Sequence, residues 1–239
     1  MIGRFSEAII SENARGYAAV IPDFKRVSPK EGDLFRGRDP VETAKLLVSF
    51  GAPVISVVTE SERFGGSLEL LADIAANLDA PVLRKDFIIC EDSLYETVNA
   101  GASAVLLICS IMDENTLVRL YEKAIELNLE PLVEAHSAEE LALAVKLGAR
   151  LIGVNNRDIT SLEIDNGGPS HTAELAANLP GDSLLISESG ILTPDDARLA
   201  VSAGANAILV GTALWQADNM EAAYRSLRVE RSVKPSVQS

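Results

Sequence analysis

Eight short β-branched runs, each followed by a stretch of helical periodicity, constrain this chain more than any other feature. They read AAVIPDF, VISVVTE, PVLRKDF, AVLLICS, EPLVEAH, LIGVNNR, LLISESG and AILVGTA, and recur at intervals of roughly 20 to 35 residues. Strands that alternate with helices pair in parallel, because a parallel neighbour is reached only through a long crossover, and that crossover is right-handed. Eight such units point to an α/β chain folded as a single (β/α)8 TIM barrel. A doubly wound open sheet alternates in the same way. The barrel is favoured because eight is its closing number and no GxGxxG follows the first run.

The segments between the runs carry start and stop signals. In DPVETAKLLVSFGA, Asp39 reads as the N-cap, Pro40 as the first helical residue and Gly51 as the stop. Thr193, Pro194 and Gly204 repeat that grammar. Ser137 with Glu140 three residues on reads as a capping box, closed at Gly148. DSLYETVNAGA follows the same pattern. Residues 5–16 read as one helix ahead of the first strand, a short N-terminal extension to a barrel spanning 1–228. Residues 229–239 hold few apolar side chains and read as a frayed tail, and no second domain is expected.

With 239 residues, 47% of them hydrophobic, the chain can bury a sizeable core. Its net charge of −14 argues against nonspecific binding to nucleic acid or an anionic membrane. A local cluster of Lys and Arg can still receive a small anion. The two cysteines, Cys90 and Cys109, lie in or beside apolar runs and are expected as buried free thiols. No CxxC or Cys/His ligand spacing suggests a metal. No apolar run reaches the length of a membrane span and no signal segment is evident, so a cytoplasmic chain is expected.

The chemistry gathers where the runs end. Asp23 and Lys25 close the first run, Lys85 and Phe87 the third, Glu134 and His136 the fifth, Asn155 and Arg157 the sixth, Glu188 and Ser189 the seventh. Residues two apart on a strand share a face. One such charge alone is as easily a solvated side chain or a surface ion pair. Acids, lysines, an asparagine and an arginine converging from five strands would cost heavy desolvation without structural return. The set therefore marks the C-terminal mouth of the barrel as the site. Gly190 and Gly211, with Thr212, end the last two runs, where glycine lets backbone N–H groups approach an anion. A phosphate is expected there, although tight turns alone would also account for both glycines.

FKRVSPKEG, RFGGSLELL, PVLRKDFI, AVLLI, PLVEAH, LIGVNNRDI, LLISESGI and AILVGTAL together resemble the indole-3-glycerol phosphate synthase family, over Asp23 to Leu214. The resemblance implies conversion of 1-(2-carboxyphenylamino)-1-deoxyribulose 5-phosphate to indole-3-glycerol phosphate with loss of carbon dioxide and water, a carboxy-lyase reaction of tryptophan biosynthesis. It implies Lys85 as the acid for ring closure, its pKa lowered by the cations Lys25 and Arg157. Lys25 would hold the substrate carboxylate, with Arg157 and Asn155 shaping the polar wall. Glu134 would serve the dehydration and Glu188 would support the lysines. Phe64, Phe87 and Leu107 would wall the aromatic ring, while Ser28, Ser189, Gly190, Gly211, Thr212 and Lys25 would surround the sugar phosphate. His136 reads as peripheral. No metal or organic cofactor is implied, and a monomer or weak homodimer is expected.

The chain departs from the family's pattern in two places. Pro22-Asp23 stands where alanine-glutamate is usual, giving a shorter carboxylate beside a residue unusual inside a strand. Only about 20 residues precede the first run, fewer than the family's usual N-terminal extension. A diverged lyase or isomerase on a related sugar phosphate, or a noncatalytic phosphate-binding protein, are the alternative readings.

Overall fold

Each run forms a strand: β1 (Ala19–Phe24), β2 (Ile55–Val58), β3 (Val82–Lys85), β4 (Ala104–Ile108), β5 (Glu130–Ala135), β6 (Leu151–Asn155), β7 (Leu184–Glu188) and β8 (Ala207–Val210). In the computed structural model, which describes residues 3–157 and 168–231, they form a closed parallel barrel. Each strand pairs with its sequence neighbours, and β1 closes the ring by pairing with both β8 and β2. Pro22 does not break β1. It stands in register opposite Val210, and the strand runs on through Asp23 and Phe24, which pair with Ser56 and Val57.

Helices α1 (Arg4–Ala14), α2 (Pro40–Ser49), α3 (Leu68–Asn77), α4 (Glu91–Asn99), α5 (Glu114–Glu126), α6 (Ala138–Lys146), α7 (Ser170–Leu175), α8 (Pro194–Ser202), α9 (Thr212–Gln216) and α10 (Met220–Leu227) complete the layers. Their caps follow the sequence grammar in part. Asp39 accepts the Glu42 N–H at 2.9 Å, and Thr193 with Asp196 forms a full capping box on α8. The box expected on α6 is only half built. Ser137 accepts the Glu140 N–H, but the Glu140 carboxylate accepts the N–H of His136, one residue before the cap. Helix α4 starts at Glu91, ahead of the DSLYETVNAGA segment, with Cys90 in the cap position.

Alternation along the strands sorts the core into two layers. Ala19, Ile21, Leu83, Leu106, Leu132, Leu151, Ile186 and Leu209 point into the barrel. Val20, Val57, Val105, Leu107, Val133, Ile152, Leu185 and Ile208 point out and pack under the helices. Burying both faces explains why the runs are apolar almost throughout.

Helix α1 closes the N-terminal floor, with Phe5 and Ile9 packed into the inner layer. Its own cap residue, Gly3, supplies no side chain. Glu130 at the start of β5 takes that role: its carboxylate accepts the N–H groups of Phe5 (2.7 Å) and Ser6 (3.1 Å) and the Ser6 hydroxyl. The expected tail is held at its beginning. Val229 is buried, Glu230 bridges to Tyr17, and the Arg231 N–H donates to the Gly16 carbonyl at 2.8 Å. Residues 232–239 of that tail lie outside the described residues.

Candidate active site

The inward parity that places aliphatic side chains low in the barrel places ionisable ones at its top. Continuing each inward series leads from Ile21 to Asp23 and Lys25, from Leu83 to Lys85, from Leu132 to Glu134, from Leu151 to Asn155 and from Ile186 to Glu188. These groups line a cavity of about 460 Å³, except Glu188, which is fully buried beneath it. Its walls include Phe64, Phe87, Leu106, Ile108, Ile111, Ile191 and Leu209, with Arg157, Ser189, Gly190, Gly211 and Thr212 on the rim. Ser28 borders a small adjoining recess of about 80 Å³ that shares Arg157 and Thr212.

Lys85 stands at the centre. Its Nζ lies 2.5 Å from Glu188 Oε2 and 3.3 Å from Glu134 Oε2. Burial disfavours its charge, but Glu188, Glu134 and Asp23 outweigh that and hold its pKa above the ordinary lysine value. This reverses the expectation that Lys25 and Arg157 lower it. Both cations do line the cavity, yet three carboxylates stand closer in effect.

The carboxylates differ from one another. Burial opposes charge on Glu134, but Lys85 and His136 hold its carboxyl below the usual range, and its Oε1 takes the Asn155 amide at 3.3 Å. Glu188 goes the other way: burial and the Glu134 charge push it up to about 8 against the pull of Lys85. Among the described residues its Oε1 has no hydrogen-bond partner. That oxygen occupies the space above Gly153, where any Cβ would overlap it. Asp23 is buried and accepts the Ser56 hydroxyl at 2.7 Å. Its carbonyl accepts the indole N–H of Trp215 at 2.9 Å, and Trp215 packs edge-on against Phe24.

The neighbour of Lys85 shows the opposite arrangement. Arg84 points outward and is buried. Its guanidinium donates to the Thr59 hydroxyl (3.0 Å), the Ser93 carbonyl (2.8 Å), the Thr97 hydroxyl (3.1 Å) and Asp86 (3.1 Å). The ends of β2 and β3 are thereby tied to α4, which fixes the strand that carries Lys85. Asn156 does similar work behind β6, donating to the Ser187 hydroxyl and to the carbonyls of Glu188 and Ser189. Ser189 and Gly190 both adopt left-handed backbone, φ 64° and 68°.

A model of the indole-3-glycerol phosphate synthase family matches residues 2–227. The chain belongs to that family. It is 46% identical over 212 residues to the indole-3-glycerol phosphate synthase of Listeria monocytogenes, covering 89% of this chain and 82% of that one. It is 44% identical over 200 residues to that of Pyrococcus furiosus, covering 84% and 87%. Among solved structures, a thiamine phosphate pyrophosphorylase from Pyrococcus furiosus superposes with a TM-score of 0.65 at 20% identity, over 90% of this chain and 96% of that one. At that identity the likeness shows the barrel fold alone.

Within this synthase family fold, two sequence expectations need correction. Leu107 does not wall the cavity. It has outward parity and packs under the helices, and its neighbours Leu106 and Ile108 form that wall. Cys90 is exposed, because it caps α4 at the surface; only Cys109 is buried. Sequence reasoning passed over Ser56, Asn156 and Arg84. Ser56 shares the inward parity of Val54 and Val58 and was legible in principle. Asn156 and Arg84 face outward, where neighbouring strand ends and helices supply their partners. Among the described residues no cluster of three or more His, Cys, Asp or Glu is placed to hold a metal, and no helix is long and apolar enough to cross a membrane.

Proposed function

We propose that this barrel is a carboxy-lyase that closes the indole ring of 1-(2-carboxyphenylamino)-1-deoxyribulose 5-phosphate, with Lys85 as the proton donor. The observation that carries this reading is the charged Lys85 ammonium, held by Glu188 and Glu134 beneath an apolar-walled cavity large enough for an aromatic ring and a sugar phosphate. The ring carbon bearing the carboxylate attacks the ketone carbon, and Lys85 gives its proton to the ketone oxygen as the new bond forms. The carbon–carboxylate bond then breaks. Its electron pair restores the ring and carbon dioxide leaves.

Lys25 lies over the Phe64 ring, 5.3 Å from its centroid, at one wall of the cavity. From there it would pair with the substrate carboxylate until it departs, with Arg157 and Asn155 beside it. Dehydration follows: the new hydroxyl leaves as water with a proton from an acid of the cluster, and Glu134, kept ionised, takes the proton that completes the double bond. Ser28, Ser189, Gly190, Gly211 and Thr212 would receive the phosphate and its sugar. Phe64, Phe87, Leu106 and Ile108 would flank the aromatic ring. Nothing in Pro22-Asp23 favours a different reaction: Asp23 stays in register, is anchored by Ser56, and contributes to the charge on Lys85.

Turnover of the ribulose phosphate substrate, followed by indole fluorescence and carbon dioxide release, tests this. The wild type should produce both. A folded wild type that produces neither overturns the reading. Soluble, cytoplasmic action as a monomer or weak homodimer is part of the same proposal, checked by light scattering and by fractionation of cells.

A further inference from the structure

His136 follows β5 directly and is only 13% exposed, yet it does not line the cavity. Its ring lies between two carboxylates. Nε2 is 3.3 Å from Glu134 Oε1, and Nδ1 is 3.5 Å from Glu140 Oε2 on α6. Both ring nitrogens are buried, and neither makes an aligned hydrogen bond among the described residues. Each nitrogen therefore faces a carboxylate oxygen without a directional bond to it.

The backbone at this point is fixed from two sides. The His136 N–H donates to Glu140 at 2.7 Å, and its carbonyl meets Nε2 of His171 on α7 at 2.6 Å. Glu140 in turn sits at the start of α6, where it was expected to complete a capping box. Its carboxylate has been diverted to His136, both to the N–H and to the ring. The other titratable groups nearby are His171, paired at 3.7 Å with Glu174, and Cys109, whose thiol is pushed up to about 12 by burial and by Glu140 and Glu134. Cys109 stays neutral, so Glu134 and Glu140 are the charges that His136 meets.

Glu134 is then divided between Lys85 and the His136 ring. Oε2 faces Lys85 in the cavity, while Oε1 faces His136 and the Asn155 amide. We propose that His136 is a positioning residue for Glu134: from behind the cavity wall it keeps that carboxylate ionised and turned so that one oxygen remains with Lys85. The inference rests on the synthase reading above and deepens it, adding a residue that acts through Glu134 without touching substrate. The Coulomb contribution of His136 to Glu134 agrees with it.

The test is His136→Gln, which keeps a polar side chain of similar reach and removes the charge. Expected is a fall in kcat on the order of tenfold with KM little changed. The acidic limb of the kcat–pH profile should also move upward by about one unit, because a carboxylate that loses a nearby cation holds its proton to higher pH. A folded variant with unaltered kcat, or with lowered kcat and an unmoved acidic limb, overturns the proposal; the second outcome describes a merely structural residue. A measurement on the wild type covers a variant that fails to fold. With carboxyl-13C glutamate, the Glu134 resonance should show an inflection that coincides with titration of the His136 ring. Absence of that shared inflection also overturns the proposal. The carboxyl titration needs no turnover, so it separates failure of this inference from failure of the synthase reading.

Discussion

The two ends of this barrel each hold a buried or half-buried glutamate, and they are treated in opposite ways. At the floor, Glu130 accepts bonds on both oxygens from the first residues of α1, and a Cβ at Gly3 would collide with it. At the mouth, Glu188 is more deeply buried, shares Lys85 with Glu134, and leaves Oε1 without a partner. A saturated carboxylate acts as a rivet: its charge is spent on backbone N–H groups and nothing remains to exchange. A carboxylate held short of saturation keeps a proton in play. The same contrast separates Arg84 from Lys85, adjacent on β3. The guanidinium turned outward is filled with donors' partners, and the ammonium turned inward faces a cavity. In both pairs the group with capacity to spare is the one at the mouth, where chemistry is possible.

The comparison breaks most severely if Lys85→Ala leaves turnover intact. The expected loss is about 10²- to 10⁴-fold in kcat, with the fold preserved by circular dichroism, since general-acid catalysis commonly contributes that much. Gly153→Ala probes the mouth without touching an ionisable group. The new methyl overlaps Glu188 Oε1, the far end of a side chain that can move, so the fold should survive while the carboxylate is displaced. Steady-state kinetics should show a loss on the order of 10²-fold, the usual cost of misplacing a reacting group by about 1 Å.

At the floor the signs reverse. Glu130→Ala should lower stability by about 1–3 kcal/mol in urea unfolding, because it orphans N–H groups at the start of α1. The kcat of the folded fraction should be unchanged. A large loss of kcat there would mean that the two ends are not independent.

The smallest effect is a pH dependence. The pKa of Glu188 in the folded chain stands above its ordinary 4.5, at about 8. The stability it contributes is complete below about 4.5 and is lost as pH rises through about 8. Glu188→Gln removes that dependence. The Tm of the wild type, measured relative to Glu188→Gln, should therefore fall from about pH 5 to about pH 9. A difference in Tm that stays flat across this range would show that Glu188 is ionised throughout.

Why so much of the fold was readable follows from these elements. All eight runs became strands, because burial on both faces leaves little but aliphatic residues and the parallel crossover fixes their order. Period-two parity carries Asp23, Lys25, Lys85, Glu134 and Arg157 from the run ends to one cavity, which Phe64 and Phe87 join, while Glu188 lies beneath it and His136 behind its wall. Leu107 came from the resemblance, and parity excludes it: it falls between the inward residues Leu106 and Ile108. The direction of the Lys85 pKa shift was illegible for another reason. Its pKa depends on which groups of five strands stand closest, and a linear sequence gives no distances between them. Arg84 and Asn156 escaped notice because their partners, on the neighbouring strand ends and helices, are brought to them only by the fold, and the bonds of His136 depend on a cap carboxylate that was diverted. The cap signals themselves held at Asp39 and Thr193, where donor and acceptor are three residues apart and local geometry decides.

The floor has a practical side. Gly3 leads into α1 against Glu130, and Arg231 is tied to Gly16, so both ends of the described chain emerge on the side away from the cavity. A surface, a label or a second protein attached at either end would leave the entrance clear. Arg231 meets the chain at Gly16, beyond the far end of α1 from Gly3, so a peptide joining the two ends would run the length of that helix, about 16 Å, along the floor. The ring so closed, reopened at a floor-side turn such as Gly148, would give a permuted barrel with every mouth residue on the strand it occupies now.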